Sequence, residues 1–349
     1  MSIAGSAIGL PEAVAALLMV ALNAYVLMGG ADLGGGVWDL LATGPRRQAQ
    51  RSLIASAIAP IWEANHVWLV IAVVICFTAF PPLFATLATV LHIPLTLMLA
   101  GIVLRGSAFV FRSYGGGSAS VRSRWGRTFA IASTMTPILF GIVIGAVATG
   151  AVGTAQQQLQ SATFAETFLR PWLAPFPLLV GALALLLFAQ LAATYLTLVT
   201  EDPALREDFR RRALGSTVAG LLVATVAATQ SPGVWRIATP VLLPQSAAVV
   251  GVALTGITSA IALYALWRRR YRLARVACGI EVSLILWLWA VGQFPYLIPS
   301  TITVRAAAAP AATLEAMLWV IGAGVVLLIP SLAYLLQLFS SHAKLTESS

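Results

Sequence analysis

Nine stretches of the chain are almost continuously apolar, and short polar segments separate them. They lie near 11–30, 54–78, 81–104, 128–152, 172–199, 213–229, 245–267, 276–294 and 312–339. Each approaches or exceeds the roughly 20 residues a helix needs to cross a bilayer. The pattern therefore predicts an all-α polytopic membrane protein with nine transmembrane helices. The longest segments between spans, 105–127, 153–171 and 295–311, leave no room for a soluble domain, so 1–349 reads as one integral membrane unit. Ser113–Ser120 reads as a flexible Gly/Ser turn, Gln156–Gln160 as a polar spacer, and 341–349 as a polar, disordered cytoplasmic tail.

Charge changes the picture by giving these spans a direction. Seventeen of the 21 Lys/Arg residues fall in four segments, 31–52, 105–127, 200–212 and 267–275, and those alternate with segments carrying at most one, such as Arg170, Arg236 and Arg305. This beat follows the positive-inside rule and places the N-terminus outside and the C-terminus in the cytoplasm. Composition agrees: 59% of residues are hydrophobic and 9% charged, with mean hydropathy +0.91, against about 25% charge in a soluble domain. The net charge of +9 is accounted for by arginines at anionic lipid headgroups, so no nucleic-acid partner is expected. Met1–Leu10 lacks a basic segment, and the first apolar run reads as an uncleaved span. Glu201–Arg212 opens with acids before a proline, a helix start at the cytoplasmic surface. Cys76 and Cys278 fall at opposite membrane faces and cannot pair. No P-loop or ATPase cassette is present.

Ionisable groups within spans are costly, about 2.5–3.5 kcal/mol each on insertion scales, and each is a functional hypothesis. Glu63 stands about ten residues into the second span, hence roughly 15 Å deep. It sits in an unusual run with Trp62, Asn65, His66 and Trp68. Glu63 and His66, three apart, share a helix face; they suit either a structural Glu–His hydrogen bond or a proton relay. Glu-x-x-His is also half of a di-iron motif, but the second half and its glutamates are missing, so no metal site is expected. His92, mid-span in the third helix at a depth like that of His66, makes the two histidines candidate haem ligands. Asp32 lies among glycines at the inner end of the first span. It is placed to bond exposed backbone, to pair with an arginine or to face a proton path. Arg105 and Arg112, seven apart, share one face of the third span and are positioned to meet Asp32 or Glu63, or to snorkel to headgroups. Glu281 lies one to two turns inside the eighth span, where an interior ion pair is the plain structural role.

At these residues the chain resembles subunit II of cytochrome bd-type quinol oxidases. The matching stretches are Gly30-Ala-Asp-Leu-Gly34, Ala59-Pro-Ile-Trp-Glu-Ala-Asn-His-Val-Trp-Leu69, Phe77-Thr-Ala-Phe-Pro81, Arg105-Gly-Ser-Ala-Phe-Val-Phe-Arg112 and Trp289-Ala-Val-Gly-Gln-Phe-Pro-Tyr-Leu-Ile-Pro299, with Pro330 and Tyr334 in the last helix. The resemblance implies a heterodimer in the bacterial cytoplasmic membrane that oxidises quinol and reduces dioxygen to water. It implies that the partner, subunit I, ligates two b-type haems and one d-type haem. This chain would then pack against subunit I, line a proton route through Glu63 and Asp32, and in some members hold a structural quinone. Ala31 replaces an aromatic residue, and Glu63 an aspartate, of many members. Two other readings stay open: a proton-coupled secondary transporter using Glu63, and a membrane cytochrome b ligating haem through His66 and His92.

Overall fold

The computed structural model describes residues 9–58, 62–113, 115, 118–230 and 245–346; the side chains of 58, 62–64, 113, 245–248, 329, 332–333 and 335–346 lie outside that description. Ten helices form the frame: α1 (Leu10–Leu40), α2 (Arg47–Ile58), α3 (Trp62–Ala79), α4 (Pro81–Val90), α5 (His92–Ser113), α6 (Ala119–Ala148), and three short ones, α7 (Ala151–Gln157), α8 (Phe164–Phe168) and α9 (Arg170–Leu173), before α10 (Pro175–Val199). Then come α11 (Pro203–Gln230), α12 (Gln245–Trp267), α13 (Tyr271–Gln293), a two-stranded hairpin of β1 (Tyr296–Ile298) and β2 (Ile302–Thr303), α14 (Val304–Ala307) and α15 (Ala311–Thr346). Among the described residues eight helices are long and apolar enough to cross a membrane, and the bent pair α3–α4 supplies a ninth if it counts as one span.

The spans differ from the hydrophobic pattern in instructive ways. α1 runs ten residues past the expected end at 30, carrying Asp32 well inside a helix. Within the expected second span, 54–78, the described residues are the end of α2, to Ile58, and α3 from Trp62; 59–61 lie outside the description. The expected third span, 81–104, is divided at Leu91 between α4 and α5. Pro81 and Pro82 stop α3, because neither offers an N–H to continue its hydrogen-bond ladder, and the chain turns through 112° into α4. α5 then continues to Ser113, so Arg105 and Arg112 are helical residues rather than loop residues. The hairpin, in which Tyr296 pairs with Thr303, is an exception to the all-α expectation. α15 extends to Thr346, through most of the segment expected as a disordered tail, and part of Gln156–Gln160 belongs to α7.

α1 and α10 form the centre. α1 packs against α3, α6, α10 and α13, while α10 packs against α1, α6, α11 and α13. Between helices in lipid there is little hydrophobic drive, so close van der Waals packing of small residues does much of the work. A β-carbon on Gly34 would lie 1.9 Å from the Phe188 carbonyl oxygen, so α1 and α10 touch backbone to backbone there. A β-carbon on Gly36 would lie 2.1 Å from that of Ser133 on α6. The glycine-rich turn around Asp32 is therefore the crossing point of three helices.

A Gly34→Val substitution should force α1 from α10 and cost roughly 1–3 kcal/mol or more. The readout is the thermal aggregation midpoint of the solubilised protein, and an unchanged midpoint would contradict the crossing as described.

Candidate functional site

Asp32 of α1 and Arg105 of α5 are each 1% exposed and form an ion pair inside the bundle. Arg105 reaches Asp32 Oδ1 through Nη2 and donates from Nε to Ser133 Oγ of α6 at 3.1 Å. One carboxylate oxygen is thereby clamped. The other, Oδ2, is buried and makes no well-formed hydrogen bond among the described residues. A buried acceptor in that state loses its hydration without compensation, a cost of about 1–3 kcal/mol or more for a charged group, so the position is suited to a water or a proton.

A second rung lies seven residues along both helices. Arg112 donates to Asp39 Oδ2 at 3.1 Å and Oδ1 at 3.3 Å. Arg51 of α2 donates to the Asp39 carbonyl oxygen at 3.1 and 3.2 Å. The Phe129 ring of α6 joins the rungs: the guanidinium carbons of Arg105 and Arg112 lie 5.3 and 5.9 Å from its centroid, within cation–π range. Because α1 and α5 run the same way, both pairs span 73 residues, and the ladder leads from the arginine-rich end of the bundle into its interior. Asp39, Ser133, Arg51 and Phe129 were not among the residues singled out from sequence. The matched spacing 32/39 and 105/112 was the available signal for Asp39.

From α3, Asn65 and His66 contribute to the electrostatic surroundings of the Asp32 carboxylate. Asn65 is fully buried and close enough to the Asp32 carboxylate to act on it, although its amide makes no well-formed hydrogen bond among the described residues. His66 meets the buried Tyr25 ring edge-on at 6.1 Å and also lines an open groove of about 480 Å³ with Ile102, Gly106 and Phe111 of α5. Trp68 packs on the core shared by α1, α10 and α13. Trp62 and Glu63 are the first described residues of α3, and their side chains lie outside the described residues.

His92 is not at the depth of His66. It is the exposed first residue of α5, donating from Nδ1 to the Thr89 carbonyl 2.9 Å away and meeting Phe168 edge-on. His66 lies 13 residues, about 20 Å along the helix, from the end of α3, with the 112° bend and α4 between it and His92, so the two are not brought together as a ligand pair. Among the described residues no group of three or more His, Cys, Asp or Glu side chains converges to hold a metal ion. Cys76 and Cys278 are both free.

Glu281 lies elsewhere, between α10, α12 and α13, and is 4% exposed. Its partners are neutral: Gln190 Nε2 at 2.9 Å and Ser259 Oγ at 2.6 Å. Among the described residues it forms no ion pair, which corrects the expectation of one.

Known proteins bear out the resemblance. The chain is similar to a probable cytochrome oxidase subunit 2 of Haemophilus influenzae, 30% identical over 220 residues, covering 63% of this chain and 55% of that one. It is similar to the cytochrome bd-I ubiquinol oxidase subunit 2 of Escherichia coli K12, 27% identical over 184 residues, covering 53% and 47%. The match thus spans about half the length of these two relatives. A putative cytochrome bd menaquinol oxidase subunit II of Bacillus subtilis aligns more fully, 23% identical over 90% of this chain and 91% of its own. The fold matches a chain of the bd oxidase from Geobacillus thermodenitrificans with TM-score 0.73 at 20% identity, covering 95% and 98% of the two chains. The family model for cytochrome bd terminal oxidase subunit II matches residues 10–339, and the chain belongs to that family.

Proposed function

We propose that this chain is the second subunit of a quinol-oxidising terminal oxidase in a bacterial cytoplasmic membrane, paired with a subunit I that ligates two b-type haems and one d-type haem. Those haems would supply the electron transfer and dioxygen reduction. This chain is taken to ligate none of them: of the two candidate histidines, His66 on α3 meets Tyr25 and His92 stands exposed at the start of α5, so they do not converge as a ligand pair. Its own work is to bind the partner and to carry protons towards it. A structural quinone in this subunit belongs to the same proposal.

The observation that carries the proton role is the ladder. A proton moving inward needs acceptors that are buried, close to an ordered charge, and not already saturated. Asp39 sits at the arginine-rich end, where Arg51 and Arg112 hold its carboxylate in place. Asp32 sits deeper, with Oδ1 held by Arg105 and Oδ2 open. Arg105 orients the carboxylate and offsets its charge, so that Oδ2 accepts a hydrogen bond from an arriving water without the helix having to move. Asn65 and His66 border that position from α3, and Glu63, one turn before His66, continues the route on the same helix. Arg112 and Arg105 also exclude other cations from the path by repulsion.

The transporter alternative draws weaker support. Such folds carry broken helices repeated in two halves, and among the described residues there is one bent pair, α3–α4.

Two measurements test the proposal. With the arginine-rich end in the cytoplasm, a cysteine at Arg269 should be labelled by an impermeant thiol reagent only from the inside, and one at Arg305 only from the outside; the reverse pattern would overturn the orientation. In the co-purified complex, Asp32→Asn, Asp39→Asn and Glu63→Gln should each lower quinol-driven oxygen uptake by about tenfold or more while the haem absorption spectrum is kept. Wild-type turnover in all three would remove the proton role, and absence of any haem-bearing partner would remove the oxidase assignment.

A further inference from the structure

Glu281 is the second carboxyl group enclosed in the bundle, and its surroundings differ in kind from those of Asp32. The groups facing it are Gln190 and Thr194 from α10, Ser259 from α12 and Cys278 from its own helix, with Tyr25 of α1 in the same buried cluster. None of these is a cation. An ionised carboxylate enclosed among neutral groups carries a desolvation cost of several kcal/mol that no counter-charge offsets.

The hydrogen bonds around Glu281 accommodate the neutral acid. Ser259 Oγ lies 2.9 Å from the Thr255 carbonyl oxygen and 2.6 Å from Glu281 Oε1. When its single proton goes back along the helix to Thr255, the hydroxyl oxygen is free to accept from a protonated carboxyl group. Gln190 Nε2 places its two hydrogens on Glu281 Oε2 at 2.9 Å and Cys278 Sγ at 3.2 Å. The same serine can instead donate to an ionised carboxylate, because the Thr255 carbonyl already accepts a backbone N–H in the helix ladder, so the choice between the two forms rests on the desolvation cost.

Polar groups line α10 beside this cluster. Gln190, Thr194 and Thr197 follow one face of the helix at spacings of four and three. Thr194 Oγ1 lies 3.6 Å from Cys278 Sγ, and Thr197 Oγ1 donates to the Thr194 backbone carbonyl at 2.6 Å. Thr197 in turn lines a cavity of about 520 Å³ shared with Arg206, Arg270 and Tyr271. We propose that Glu281 is a proton-binding site, held as the neutral acid between α10, α12 and α13. The ligand is a single proton, and the site is separate from the Asp32 ladder.

The test is infrared difference spectroscopy on the co-purified complex, comparing wild type with Glu281→Gln, which offers the same donor to Ser259 and acceptor to Gln190. The expected difference is a carboxylic-acid carbonyl band present in wild type from neutral to mildly alkaline pH and absent from the variant. In heavy water that band should shift to lower frequency. A pair of ionised-carboxylate bands in the difference would overturn the neutral acid. Should Glu281→Gln fail to assemble, Ser259→Ala decides instead: removing the acceptor should move the carbonyl band to higher frequency, and an unmoved band would refute the assignment.

Discussion

A charge inside a lipid bilayer persists only where a partner is fixed beside it, and the Asp32–Arg105 pair imposes that condition on the whole first half of the bundle. Two fully enclosed ions lose their hydration together, and the pair holds only if its geometry is kept and the remaining hydrogen-bonding atoms are served. Arg105 uses Ser133 for one of those atoms. Ser133 can approach this closely because Gly36 carries no β-carbon, which would lie 2.1 Å from that of Ser133. Gly34, two residues earlier, lets α1 reach the backbone of α10. The close packing of α1 and the placement of its carboxylate are thus one constraint, and breaking either partner of the pair leaves an uncompensated charge costing about 3–5 kcal/mol.

The same economy governs the two ends. At the arginine-rich end Arg46 and Gln50 converge on Asp208 at 2.6–2.9 Å, Arg212 reaches Gln50 at 2.8 Å, and Glu207 gathers Arg210 and Arg211. Part of the positive charge that orients the spans therefore ties α2 to α11. Exposed pairs of this sort contribute little singly, about 0–1 kcal/mol, so their effect is on which segments lie together more than on stability. At the opposite end the few charges also meet: Arg305 donates to Glu12 at 2.5 Å across 293 residues, and Glu12 caps the start of α1.

The number of spans and the pairing of acids with arginines were legible because hydrophobic length and i, i+7 spacing are local properties. Arg105 and Arg112 were read as sharing a face, and they do, each on its own aspartate. Asp39 was not singled out because it follows the apolar run and looks like loop, whereas the helix continues over it to Leu40. His92 was misplaced for a related reason. Hydropathy sums over 81–104 without registering that α4 ends at Val90 and α5 begins at His92, so a residue that counts as mid-span in sequence stands at the end of a helix in space. Cross-chain partners such as Ser259 and Gln190 leave no trace in local sequence at all. They are 22 and 91 residues from Glu281 and are brought to it by helix packing alone.

The two enclosed acids illustrate how one residue type is given two chemistries. Asp32 faces a guanidinium, which offsets its charge and holds one oxygen, while Oδ2 is left without a hydrogen bond among the described residues. Glu281 faces a serine and an amide, with a thiol beside them, so no fixed charge offsets its ionisation, and the proposed form is the one that carries its own hydrogen. The difference follows from which helices meet each carboxyl group, α5 with its arginines at one, α10 and α12 with neutral side chains at the other.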